Sequence, residues 1–442
     1  METVLRTMTW SGMDPAARTR LCERGLGDIF DPALRAAIGD LIEDVRVRGD
    51  DAVCEALSRH DGIDLSPDRL RVTADEIASA RVDPALDAAI DEAIGRLRLF
   101  NENLRRRASD WSMEMEDGLV VGEKVGPISS AGLFVPSGKA SYPSVAYQLG
   151  VPAVVAGVPQ LALVVPPVPG GDGAVDPAVL VVCRKLGIGA VFRVNGPAGI
   201  AALGFGTATI PRVRKVVGPG SPAVTIAQVE MQRHGLATMM LLGPTESLVI
   251  ADDSADVVRL ASDLVIEAEH GTDSTVVLVT DSSTLIAAVE EELRRQVADL
   301  PPVRAEAVRA SLGTNGGAVL VGSMDEAVEV ANTFAPEHLQ IAVTDTMLDH
   351  VVGGIVNAGE ILVGQDTPFS AANFVVGCPA SLPTSGFAHV SSGITVEAFL
   401  KRAAVARADS DALARMAPSI LALADHEGFP GHGAAIRRRF PG

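Results

Sequence analysis

The sequence predicts an α/β protein with parallel sheets. Three observations carry this reading. Short apolar runs alternate with helical stretches through most of the chain, the pattern of strand–helix–strand units. Ala, Val, Leu and Gly abound while only 4% of residues are aromatic, a composition suited to buried parallel strands covered by helices. The length of 442 residues, 47% of them hydrophobic, suffices for two domains with cores of their own.

Residues 1–25 read as an appended arm. From 31 to about 107, PALRAAIGDLIEDVRVRGDDAVCEALSRH and PALDAAIDEAIGRLRLFNENLRRR carry apolar residues at three- and four-residue spacing, which predicts amphipathic helices. The runs AGLFVP, ALVVPP, AVFRV, KVVGPG, SLVIAD, TVVLVT, AVLVG and EILVG predict buried strands. Helices are expected between them, at PAVLVVCRKLG, PAGIAALGFG, SADVVRLASDLVIEAEH and SSTLIAAVEEELRRQVADL. These strands are enough for two sheets, and Pro and Gly near 134 and 245 mark turns. One domain is therefore expected inside another. Residues 26–133 with 246–390 would form the first Rossmann-like domain, 134–245 the second, and 391–442 a helical tail.

Composition narrows the function. A net charge of −19 argues against nucleic acid and against an anionic membrane surface, since phosphate binding needs a basic face. The opening METVLRTMTWSGMDPAART has no apolar core flanked by a basic end, so no secretory signal is visible. The longest apolar run, VPAVVAGVPQLALVVPPVPG, is cut by prolines at 152, 159, 166, 167 and 169, which a spanning helix would not tolerate. Cys22, Cys54, Cys183 and Cys378 lie far apart without CxxC spacing, as buried thiols do rather than a disulfide framework. The cytoplasm is the expected location.

Three polar stretches stand out: EAEHGTDS, NTFAPEHLQI and ADHEGFPGH. Glu267 and His270 are three apart, which on a helix puts both within reach of one ion. Glu337 and His338 follow Pro336, a residue that often opens a helix. A lone Glu–His pair is commonly a solvated helix end, but three such groups in a chain with eight His point to chemistry. Imidazole and carboxylate suit zinc, and a catalytic zinc keeps a position open for substrate. GFGTATIP lacks the third glycine of the dinucleotide fingerprint, so its glycines read as turn residues.

GLFVPSG, GIAALGFGT, KVVGPG, LLGPTESLVIADDSAD, ASDLVIEAEHGTDS, NTFAPEHLQI, LPTSGF and DHEGFPGH together resemble the histidinol dehydrogenase family, in register from about 30 to 432. The resemblance implies two Rossmann-like domains of the aldehyde dehydrogenase-like superfold. It implies a homodimer whose tails cross to complete each other's site. It also implies a zinc-dependent oxidation of an amino alcohol through the aldehyde to the carboxylate, with NAD as acceptor and NADP an open alternative. The implied metal set is Glu267 (a glutamine in the family), His270, Asn373 (an aspartate in the family) and His432 from the partner's tail. The two changes nearly cancel in charge. Glu337 and His338 match the catalytic pair. Thr245 replaces a substrate-contacting serine, and Glu427 matches the glutamate that holds the substrate amine. At the cofactor, Phe134 replaces a tyrosine, Ala198 a glutamine and Ser221 an asparagine; Ala380 replaces a substrate-contacting histidine. A pocket built for polar contacts loses much when one partner is cut away, so both histidinol as substrate and the family's mode of nicotinamide binding are left open, while a hydride acceptor is still expected. Lys139 reads as a solvated loop lysine or as a counter-charge for an acidic substrate or cofactor phosphate. An anionic diol and a non-catalytic ligand-binding relative are the alternatives.

Overall fold

A computed structural model describes residues 3–22, 24, 31–136, 141–239 and 243–440. Among these the strands are β1 (Thr7–Thr9), β2 (Trp111–Glu116), β3 (Leu119–Pro127), β4 (Ala131–Phe134), β5 (Leu161–Val165), β6 (Val191–Arg193), β7 (Lys215–Val217), β8 (Glu246–Ala251), β9 (Thr275–Thr280), β10 (Gly317–Leu320), β11 (His338–Ala342), β12 (Glu360–Val363) and β13 (Leu400–Ala408). They form a six-stranded sheet in the order β1-β10-β9-β8-β11-β12 and a four-stranded sheet in the order β6-β5-β4-β7. Both sheets are parallel throughout. A third, antiparallel sheet runs β13-β3-β2.

Each parallel sheet reverses direction once. The large sheet grows outward from β8 to β10, then returns to lay β11 on the other side of β8. The small one grows from β4 to β6, then returns to lay β7 beside β4. Such reversals open a crevice between neighbouring strands, where ligands bind in this class of fold. The strands were legible as apolar runs because helices cover both faces. Leu248, Ile250, Leu339 and Ile341 pack with the helix Met324–Phe334. Val249, Val276 and Leu278 pack on the opposite face with Leu260 and Leu264 of the helix Val257–Ala268.

Three expectations change. The helices of 32–107, expected with the first domain, pack on the small sheet instead. Ile38, Ile42 and Val45 share a core with Phe134, Val164 and Phe192, and Ile90, Ile94 and Leu97 share one with Leu133, Leu163 and Val165. The arm is not merely appended, because β1 extends the large sheet beside β10. The tail is not wholly helical, since β13 pairs with β3 along its length before the helices Ser410–His426 and Pro430–Arg437. β2 and β13 are exposed almost throughout, so neither shows the apolar run by which a buried strand is read.

Candidate active site

The carboxyl edge of the small sheet faces the amino edge of the large one across a cleft of about 940 Å³. Ser141, Tyr142, Gln148 and Ser221 line one side; Thr245, Glu267, His270, Glu337, His338, Asn373 and Ala380 line the other. A smaller pocket of about 240 Å³ adjoins it, lined by His60, Asp61, Phe134, Asn195, Ala198 and Ser221. Pro136 and Ser221 border both. The loop that follows β7 can lie this close only because residue 218 is glycine. Its φ is +142°, and a Cβ there would stand 2.1 Å from the carbonyl oxygen of Phe134.

Glu337 and His338 do not open a helix. The helix Met324–Phe334 ends at Ala335, in the left-handed conformation with φ 49°. Pro336 follows as a stop, a common place for proline after a helix. His338 then begins β11, paired with Ser247 of β8 on one side and Glu360 of β12 on the other. Paired residues of adjacent strands present side chains on one face. His338 Nδ1 accordingly lies 2.5 Å from Glu360 Oε1, and its Nε2 lies 3.7 Å from Glu337 Oε1. Glu337 Oε2 accepts the backbone N–H of Glu246 at 3.1 Å.

Below this pair, Arg24 of the arm grips the Glu246 carboxylate with Nε and Nη2. It also donates to the carbonyl of Phe334 at 2.8 Å and lies over that residue's ring. Arg24, Glu246, Glu337, His338 and Glu360 are all buried. Burial raises the Glu337 pKa and the carboxylates of Glu267 and Glu246 raise it further, against the pull of His338. For His338 burial acts downward, but Glu337, Glu267 and Glu360 outweigh it and the pKa is raised. Both groups therefore hold protons more tightly than in water.

The helix Val257–Ala268 covers the face on which His338 stands, and it brings Glu267 to the cleft. The helix stops before His270, so the pair does not share a helical face as expected. A turn restores the proximity: His270 Nδ1 is 3.4 Å from Glu267 Oε2 and 3.0 Å from the carbonyl of Ile266. An Nδ1–H donated to that carbonyl leaves Nε2 as the ligating nitrogen, a usual arrangement in metal sites. Asn373 Nδ2 donates to Glu267 Oε1 at 2.6 Å; a half-turn of the amide would present its oxygen instead.

The donor set and the charge balance both fit a divalent cation. Four buried carboxylates gather here: Glu246, Glu267, Glu337 and Glu360. Among the described residues their charged contacts are Arg24, His338 and the partly exposed His270. Buried negative charge in such excess calls for a counter-ion. Among the described residues no three His, Cys, Asp or Glu form a ready metal cage, so Glu267, His270 and Asn373 need a further donor.

The remaining candidates divide by location. Thr245 lies just before β8 in the cleft, while Phe134, Ala198 and Ser221 meet at the smaller pocket. Glu427 and His432 do not join the cleft of their own chain; both are exposed on the tail. Lys139 lies outside the described residues. Sequence reading missed Glu360, Glu246 and Arg24. The visible hint was a glutamate opening the apolar run EILV.

The histidinol dehydrogenase family profile matches residues 29–440. A histidinol dehydrogenase of Methanosarcina mazei is 36% identical over 439 residues, covering 97% of this chain and 96% of its own. A histidinol dehydrogenase homolog of Colwellia psychrerythraea is 37% identical, covering 90% and 88%. The crystal structure of histidinol dehydrogenase from Elizabethkingia anophelis superposes with a TM-score of 0.91 at 28% identity, covering 99% of this chain and 98% of that one. The chain belongs to the histidinol dehydrogenase family, NAD-linked oxidoreductases that act on CH–OH groups.

Proposed function

We propose that this protein is a zinc-requiring dehydrogenase that oxidises a small amino alcohol through the aldehyde to the carboxylate, working as a homodimer. The observation that carries the reading is the buried Glu337–His338 pair at the wall of an acidic cleft. Glu267, Glu269, Asp273 and Glu337 line that cleft, and its described lining contains no Lys or Arg. Such a field favours a cationic substrate over an anionic one, so the amino alcohol is preferred to the anionic diol. Among the described lining residues no Lys or Arg offers the counter-charge the diol would need.

Removing a hydride from a carbinol carbon requires the hydroxyl proton to leave as well. His338 Nε2, facing the cleft, is the group to take it. Glu337, next to it, is placed to draw a proton from the water that hydrates the aldehyde before the second oxidation. Glu267, His270 and Asn373 would hold zinc from one chain, with His432 of a partner tail as the further donor and Glu427 beside the substrate amine. Bound zinc would polarise the alcohol oxygen and offset the surplus negative charge around His338. NAD would accept the hydride, its nucleotide against Phe134, Ala198 and Ser221. Exposed Trp111, Met113 and Met115 along β2, with Leu423 and Phe429 on the tail, support a surface covered by a second copy.

The test is a screen for NADH with histidinol, other amino alcohols and sulfonated diols, with zinc present and after chelation. The reading expects NADH from an amino alcohol, two per acid formed, and loss of turnover on chelation. Turnover of a sulfonated diol alone would overturn the substrate class. A folded, zinc-loaded dimer inert towards every alcohol would overturn the enzyme.

A further inference from the structure

We infer that Glu360 is a positioning residue for His338: it holds the imidazole so that Nδ1 donates towards β12 and Nε2 is the nitrogen that faces the cleft to exchange a proton. The inference rests on the dehydrogenase reading, in which His338 is the proton acceptor.

Three observations converge on it. The register of β11 and β12 sets His338 directly beside Glu360, so the contact is built into the sheet rather than reached by a flexible side chain. Glu360 Oε1 meets Nδ1 at 2.5 Å, short enough for a charge-assisted hydrogen bond. Its second oxygen, Oε2, is buried with no hydrogen-bond partner among the described residues. A buried unsatisfied acceptor costs stability, so this carboxylate is not arranged to satisfy its own oxygens best. This one spends its single strong contact on the imidazole.

The chemistry follows from the two ring nitrogens. A neutral imidazole has one N–H and one lone pair, and the partner of one nitrogen decides the state of the other. With Glu360 accepting from Nδ1, the lone pair sits on Nε2, on the side of Glu337 and the cleft. When Nε2 takes the hydroxyl proton, the ring becomes cationic and the adjacent carboxylate stabilises it. The proton passes from substrate oxygen to Nε2, and Glu360 exchanges none. On the other flank Ser247 is paired with His338 in register. Its hydroxyl makes no hydrogen bond among the described residues, so it does not compete for the ring.

The test uses the full-length enzyme with Glu360→Leu and Glu360→Gln. Leucine removes the acceptor, and kcat is expected to fall about a hundredfold, with the KM for substrate within about twofold. Glutamine keeps an acceptor oxygen without the charge, so it should fold as the parent does and lose about tenfold. Solid-state nitrogen spectra of histidine-labelled protein, assigned with His338→Gln and taken at a pH where the ring is neutral, read the tautomer directly. The parent should show Nδ1–H, and the leucine variant a mixture. Unchanged kcat in Glu360→Gln together with an unchanged tautomer in Glu360→Leu would overturn the inference. If Glu360→Leu does not fold, parental kcat in Glu360→Gln overturns it alone. If the parent turns over no alcohol, the dehydrogenase reading fails, while the tautomer measurement still decides whether Glu360 sets the ring.

Discussion

The two parallel sheets meet the same cleft with opposite ends. The small sheet offers its carboxyl edge, where β4 and β7 diverge, and lines it with Phe134, Ala198, Gly218 and Ser221. The large sheet offers its amino edge, where Glu246, His338 and Glu360 begin β8, β11 and β12. The carboxyl edge follows the usual rule for ligand crevices in open α/β sheets; the amino edge departs from it. The first edge carries no charged side chain at the ends of β4 and β7 or in the loop after β7, fit to let a nucleotide approach backbone. The second is a packed set of ionisable groups held side by side by strand register. A cofactor can be held by shape, whereas moving a proton needs charges that cannot drift.

If that division is right, damage to the large-sheet edge should reach turnover and damage to the small-sheet edge should reach cofactor affinity. The largest effect is expected from His338→Gln: about a thousandfold loss of kcat with near-parental NAD binding by titration. A loss under tenfold would move the proton acceptor elsewhere. Next comes Arg24→Met, which strands the Glu246 carboxylate in a buried place. Denaturant unfolding should show about 3–5 kcal/mol of lost stability; a change near zero would mean the arm is ornamental. Third, His338→Gln and His432→Ala chains, each inactive alone, should regain activity when unfolded and refolded together. Only mixed dimers rebuild a site, so about a quarter of parental activity is expected at most. No recovery would deny the tail its role across the interface. The smallest effect is expected from Phe134→Leu: a rise of about fivefold in the KM for NAD, with kcat within about twofold. A fall in kcat instead would blur the contrast between the edges.

What could be read beforehand follows the same contrast. TVVLVT is buried at every position of β9, so its apolar run announced it. HLQIA is equally buried in β11, but it opens with the polar pair and hid behind it. WSMEME and LKRAAVARA pair across exposed faces and carry no buried stripe. Glu267 and His270 are three positions apart, so their proximity could be read locally, although a turn and not a helical face brings them together. The link between His338 and Glu360 spans 22 residues and that between Arg24 and Glu246 spans 222. Such contacts are set by sheet register and chain path, which no local spacing encodes.

The placement of β1 has a consequence for how the molecule is made. Thr7–Thr9 pair with Ala318–Leu320, and the backbone of Leu5 is hydrogen-bonded by the Glu290 side chain. A chain emerging in order exposes its first strand long before its neighbours exist, while most of what the small sheet packs against lies between 32 and 239, with Ile394, Val396, Ala398 and Phe399 added later. That inner unit can assemble in large part early, and the β1 edge of the large sheet must wait for closure of a loop of about 300 residues, the slow kind of contact. The leading segment thus stays unpaired until β10 has been made.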